Sequence, residues 1–224
     1  IRAVYTMPTL HNPLGWVLTM RQRGALVTLA RRFDLLLIED APYAWLVKPA
    51  PQPLAMLAPE RTVYVTGFSK NIATGLRVGA VVCPPRFLGA FERTIRATTW
   101  NTPAMMATLV CNWLRDGTVA RFEALKRRDA RARQRIAREA LSPLPVVSHP
   151  SSYFLWLPLA EGVRAEQVVQ KLLQKKISVS TAAPFSTSPH IPHAIRLALG
   201  SLHPQTLRQA LETIRETTLY EENL

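Results

Sequence analysis

Leu35-Leu36-Leu37-Ile38-Glu39-Asp40-Ala41-Pro42-Tyr43 is a short apolar run that stops abruptly at two carboxylates. Four consecutive apolar residues without alternation read as a parallel strand buried on both faces. Working outward, residues 2–7 read as a strand that breaks at Pro8, followed by a turn through His11-Asn12-Pro13-Leu14-Gly15. Thr19 with Gln22 three residues later has the spacing of a capping box and predicts a helix start. The apolar positions Leu26, Leu29, Ala30 and Phe33 then follow the helical period. Further strands are predicted at 62–66 and 78–83. Strand, helix, strand in this rhythm is the signature of α/β layering around a parallel sheet.

After Pro84-Pro85 the texture turns helical, over roughly 86–98, 102–115 and 118–141. Pro143 and Pro145 mark a boundary, which divides the chain into a larger domain at 1–142 and a smaller α+β domain at 143–224. In the latter, strands are expected at 146–147, 153–157, 177–180 and 195–199, and helices at 164–175 and 204–217. No internal repeat or low-complexity tract interrupts the pattern.

Three predicted strands lead into polar residues: the first into Asn12, the second into Glu39-Asp40 with Tyr43 close behind, the third into Gly67-Phe68-Ser69-Lys70. Ligands of open α/β sheets bind outside the carboxyl ends of the strands. Gly75 and Gly79 bracket Arg77, whose guanidinium fork suits a phosphate. Each residue has an ordinary reading when taken alone. A lysine after a strand is usually solvated, an Asp there usually caps a turn, and Asn-Pro commonly starts one. Only the joint pattern, in this order, carries weight.

With 224 residues, 48% of them hydrophobic, the chain can bury a sizeable core. No apolar run reaches the roughly 20 residues of a membrane span, and no signal peptide is visible, so a cytoplasmic address is expected. Cys83 and Cys111 lie in apolar stretches and read as buried thiols of a reducing compartment. The formal net charge of +13 favours anionic partners without choosing among them. Residues 121–138 hold eight basic residues against Glu123 and Asp129, usually the mark of a solvated helix face, with a DNA-facing or inter-subunit role as the less common alternative. His190-Ile191-Pro192-His193 reads as a loop rather than a metal pair. The tryptophans, Trp16, Trp45 and Trp100 among them, read as packing or interface residues. The chain opens at Ile1 directly on a strand, which reads as a fragment.

Asn12-Pro13-Leu14-Gly15, Glu39-Asp40-Ala41-Pro42-Tyr43, Phe68-Ser69-Lys70-Asn71, Gly75-Leu76-Arg77-Val78-Gly79 and Ile195-Arg196-Leu197-Ala198 together resemble the fold type I pyridoxal 5′-phosphate (PLP) enzymes, class I/II aminotransferase branch. The texture is most similar to the aminotransferase-like C-terminal domain of MocR/GntR-type transcriptional regulators. The resemblance implies the PLP-dependent transferase fold. It makes Lys70 the catalytic lysine that holds PLP as a Schiff base and moves the substrate proton. Asp40 would pair with the pyridine nitrogen, Asn12 and Tyr43 with the phenolic oxygen, and Arg77 and Ser69 with the phosphate. Arg196, with Asn12 nearby, would bind the substrate carboxylate. The family often has Ser or Thr three residues before the lysine, where this chain has Gly67. The family's glycine-containing phosphate loop and ring-stacking aromatic would lie upstream of Ile1.

The resemblance leaves two functions open. One is an effector-sensing, dimerising domain of a regulator that reaches DNA through a winged helix absent here. The other is a free-standing aminotransferase working on an amino acid and a 2-oxo acid. Either implies an amino compound as ligand and a homodimer, with no membrane partner.

Overall fold

The computed structural model describes residues 1–222, which fall into two compact units: residues 1–11 with 16–126, and residues 12–15 with 127–222. Among the described residues no helix is long and apolar enough to cross a membrane.

The first unit is built on a four-stranded sheet of order β1-β2-β3-β4, with β1 Ala3–Thr6, β2 Leu36–Asp40, β3 Thr62–Gly67 and β4 Gly79–Val82. The first three strands are parallel, and β4 runs antiparallel to β3. Helix α1, Met20–Arg32, starts where the sequence says it should. The Thr19 side chain accepts from the Gln22 N–H while the Gln22 side chain accepts from the Thr19 N–H. A one-turn helix α2, Leu54–Leu57, escaped the sequence reading because it is too short to show a period.

Two expectations need correction. The strand around Leu37 is buried on one face only. Val27 and Ala30 of α1, with Leu54 of α2 and Ala58, cover Leu37. Tyr5 on the other face is exposed, and Leu36, Ile38 and Asp40 are half-buried there. The buried face of α1 is also rotated from the one expected. Arg23, Val27 and Ala30 are buried, whereas Leu29 and Phe33 are exposed. The cause is polar. The Arg23 guanidinium donates to the carbonyls of Pro8, Leu18 and Gln52 and to Thr9 Oγ1, and lies 3.6 Å from Glu39. That anchor outweighs two leucine-sized side chains in setting the helix phase.

Beyond the sheet come α3, Leu88–Thr98, and α4, Ala104–Arg115. The cysteines are free, with Cys83 half-buried and Cys111 exposed on α4, where the buried residue is its neighbour Val110. The expectation of two buried thiols is therefore wrong. Trp100 is also exposed, at a left-handed φ of 66°. Helix α5, Thr118–Leu141, carries the chain from one unit into the other, inside the segment the sequence assigned to the larger domain.

The second unit holds an antiparallel sheet of order β5-β7-β6, made of β5 Phe154–Pro158, β6 Ser180–Thr181 and β7 Ala194–Ala198. Helices α6, Ala165–Gln174, and α7, Pro204–Glu222, share its core. Val168 and Leu172 of α6 and Leu207, Leu211 and Ile214 of α7 bury helical stripes with Leu155, Leu157, Ile195 and Leu197 of the sheet. Each such side chain contributes about 1.5–3 kcal/mol of burial. The expected strand at 146–147 is reduced to one bridge, Val147 with Trp156, and that at 177–180 to β6.

Candidate cofactor site

Asp40 ends β2 and pairs in register with Val65 of β3. Gly67 ends β3, and Ser69 and Lys70 follow at once. A carboxylate and a primary amine thus stand at the carboxyl ends of adjacent parallel strands, the edge where such sheets bind ligands. Backbone bonds join the two strand ends: Ala41 N–H donates to Val65 O at 2.9 Å, and Thr66 Oγ1 to Ala41 O at 3.4 Å. Tyr43 heads a one-turn 3-10 helix, Ala44–Leu46, steadied by Trp45 Nε1 donating to Pro42 O at 3.0 Å.

The Tyr5 hydroxyl donates to the Asp40 carboxylate from the neighbouring strand. Burial first, then this hydrogen bond, then the carboxylate charge push the phenol up to about 12. Because the folded value is raised, the Tyr5–Asp40 interaction is intact below pH 10 and is lost as pH rises towards 12. An ultraviolet tyrosinate titration should therefore show a component near 12 that Tyr5→Phe removes and that Asp40→Asn moves towards 10. A Tyr5 phenol that titrates at 10 in the unaltered protein would refute the contact.

Lys70 is exposed, but its loop is held. Phe68 N–H donates to Val78 O at 3.0 Å, which closes the loop towards β4. Asn71 is buried and donates from Nδ2 to Glu123 Oε1 at 2.9 Å. Lys126 Nζ donates to the carbonyls of Lys70 and Ile72 at 3.2 and 3.0 Å. Glu123 and Lys126 therefore position the lysine's loop, a role hidden in sequence because both lie in a charge-rich helix that reads as solvated. Arg77 is exposed and sits at a left-handed φ of 51°, on the far side of the same loop.

Asn12 and Arg196 belong to the second unit. Gly15, at φ 73°, approaches the backbone so closely that a Cβ there would meet His149 N at 2.6 Å, which fixes glycine at that turn. Leu14 packs against Trp156, Ala182 and Ala194. Trp156 lies directly across from Arg196 in the β5–β7 register, so the turn after Asn12 covers the sheet face from which Arg196 rises. The Arg196 guanidinium lies 5.4 Å over the Phe154 ring. The Asn12 Oδ1 atom is buried with no hydrogen-bond partner among the described residues. A buried polar group left unpaired is costly and is a common mark of a place that receives a ligand.

A separate cavity of about 370 Å³ in the first unit is lined by Glu39, Trp45, Tyr64, Thr66 and Asn71, among others, and by neither Asp40 nor Lys70. Glu39 and Asp40 alternate along β2, so the cavity lies on the opposite sheet face from Asp40.

Within the first unit, an amine, a carboxylate, a phenol and the Arg77 guanidinium are groups that fit an aldehyde cofactor with a pyridine nitrogen and a phosphate; the second unit by itself carries the Arg196 guanidinium and the orphaned Asn12 amide. Comparison with known proteins gives the class. The family model for aminotransferase class I and II matches residues 4–214, and the chain belongs to this PLP-dependent family. Aromatic-amino-acid aminotransferase 1 of Thermococcus litoralis is 26% identical over 97% of this chain and 54% of its own length. YjiR of Escherichia coli, an uncharacterized HTH-type transcriptional regulator, is 28% identical over 96% of this chain and 47% of its own. The chain therefore spans about half the length of the curated relatives it matches. Among solved structures, the multiple substrate aminotransferase of Thermococcus profundus superposes with a TM-score of 0.92 at 21% identity, over 100% of this chain and 57% of that one. LysN of Thermus thermophilus, an α-aminoadipate aminotransferase complexed with N-(5′-phosphopyridoxyl)-L-leucine, gives 0.88 at 22%, over 98% and 59%. The fold is the α/β fold of the PLP-dependent aminotransferases, present here as part of their length.

Proposed function

We propose that this chain is the PLP-binding part of a MocR/GntR-type transcriptional regulator, where it senses an amino compound and supports dimerisation. The observation that carries the cofactor reading is the placement of Lys70 and Asp40 at the ends of adjacent parallel strands. Similarity to regulators matches similarity to aminotransferases, and the surplus of 28 basic over 15 acidic residues tilts the choice towards a regulator.

Bound PLP supplies an electron sink for the pair left behind when the substrate loses its Cα proton. The chain's own residues do the rest. Asp40 keeps a proton on the pyridine nitrogen, and Tyr5 holds that carboxylate in place. Lys70 anchors the cofactor through its amine, then takes and returns the Cα proton. Tyr43 and Asn12 would donate to the phenolic oxygen, and Arg77 and Ser69 would hold the phosphate. Arg196, whose guanidinium lies 5.4 Å over the Phe154 ring, would offer its fork to a carboxylate.

The regulator and enzyme readings part in the whole protein loaded with PLP. The regulator reading expects an amino compound to change affinity for the DNA upstream of its own gene at least severalfold, relative to scrambled DNA, with no sustained 2-oxo acid release. Sustained turnover with no sequence-selective DNA binding would overturn it in favour of a free-standing aminotransferase.

A further inference from the structure

Between residues 121 and 138, seven of the eight basic residues are arginines. Four of them, Arg128, Arg131, Arg135 and Arg138, are spaced by three, four and three residues and so share one face of α5. All four are exposed, and with Gln134 and Pro150 they line one groove of about 470 Å³ within the second unit. None of the four forms an ion pair among the described residues. The acids within reach are engaged elsewhere: Asp129 takes Arg133 at 2.8 Å and the Tyr153 hydroxyl at 2.9 Å, and Glu139 takes Arg208 at 2.7 Å.

Two of the other four basic residues of the helix have structural work. Arg133 is buried and donates to the carbonyls of Leu199 and Leu202, and Lys126 holds the Lys70 loop. The groove is tied into the unit by hydrogen bonds. Gln134 is buried, donates from Nε2 to Ser152 and Phe154, and accepts from Ser148. The field there is cationic enough that Arg131 and Arg138, after burial, add to the lowering of the His149 pKa.

We propose that this arginine-lined groove of α5 binds the sugar-phosphate backbone of duplex DNA. Four uncompensated guanidiniums in a row repel one another and are relieved by a row of anions. From Arg128 to Arg138 the helix rises about 15 Å at 1.5 Å per residue. That matches about four base-pair steps of 3.4 Å, so the row meets successive phosphates rather than one isolated anion. Guanidinium forks suit phosphate oxygens. Among the described residues no aromatic side chain lines the groove, so it lacks the stacking platform single strands use. None of these residues belongs to the cofactor set, so the inference stands apart from the PLP reading.

The test uses the whole protein and a labelled random-sequence duplex of about 30 base pairs, with anisotropy followed from 50 to 200 mM salt. Replacing all four arginines by glutamine should make the log–log salt slope shallower by about 3.5, near 0.9 per phosphate contact. Over that range the unaltered protein then loses about a hundredfold more affinity than the variant. The Arg21→Gln/Arg32→Gln control on exposed α1 positions should leave the slope unchanged. The two-residue variant Arg128→Gln/Arg138→Gln should lower it by about 2 and carries the test should the fourfold variant melt early. An unchanged slope in both groove variants overturns the proposal, as does an equal fall in the α1 control. So does arginine-dependent binding of tripolyphosphate, duplex RNA or phosphatidylserine vesicles with no such dependence for DNA.

Discussion

Replacing Lys70 by alanine is expected to abolish the visible absorbance band that the whole protein develops with PLP, with no loss of fold. The band requires the cofactor joined to a protein amine, and Lys70 is the amine at the carboxyl end of β3 beside Asp40. The fold should survive because the structural partner of Lys126 is the Lys70 carbonyl, which alanine keeps. An exposed side chain with no other structural duty changes stability by about 0.5 kcal/mol or less. Lys126→Ala makes the informative contrast. It removes two donors to the loop carbonyls of Lys70 and Ile72, so it should weaken and broaden the band without erasing it. A full band in Lys70→Ala would assign the amine elsewhere and sink the cofactor reading. Loss of the band together with the thermal transition would mean that Lys70 is structural.

The residues of this site were legible because strand ends are legible. An apolar run that stops at Glu39-Asp40 and another that stops before Lys70 already place the carboxylate and amine on one sheet edge. Three features could not be read in the same way. Hydrophobic periodicity weighs Leu29 and Phe33 but has no weight for a buried arginine with four hydrogen bonds, so it misplaces the phase of α1. Burial of β2 on both faces was inferred from composition alone, and a continuous apolar strand cannot say which of its faces a helix will cover. The supports of Lys70 lie more than 50 residues away, at Glu123 and Lys126, and tertiary hydrogen bonds of that span leave no local pattern. The basic run at 121–138 is visible in the sequence, but which of its arginines are paired is not, since a paired and an unpaired arginine are spelled alike.

Replacing Arg23 by methionine is expected to cost about 3–5 kcal/mol of stability, the range for removing one partner of a buried ion pair. The guanidinium and the Glu39 carboxylate are 0% and 1% exposed, and they face each other at 3.6 Å. Without Arg23, Glu39 keeps the Ala55 N–H at 3.1 Å as a hydrogen-bond partner, and the carbonyls of Pro8, Leu18 and Gln52 lose a donor. Burial already pushes the Glu39 pKa up, while the Ala55 N–H and Arg23 pull it down. Loss of Arg23 raises it further. A carboxyl whose folded pKa lies above its unfolded one stabilises the fold below the unfolded value, and that contribution is lost as pH rises through the folded one. The deficit of Arg23→Met should therefore shrink as the solution is acidified from pH 8 towards pH 5, because protonation of the orphaned carboxyl removes the unpaired buried charge. Adding Glu39→Gln should recover part of the loss at pH 8 and flatten that pH dependence, as urea midpoints at the two pH values would read out. Equal deficits at both pH values would mean that the carbonyl contacts, not the charge pair, hold α1 against the start of the sheet. Because Glu39 adjoins Asp40 on β2, loosening this pair should also reach the cofactor edge. Asp40 itself is unchanged in the variant, so weaker PLP retention there would measure how far a buried ion pair on one face of β2 sets the position of a carboxylate on the other.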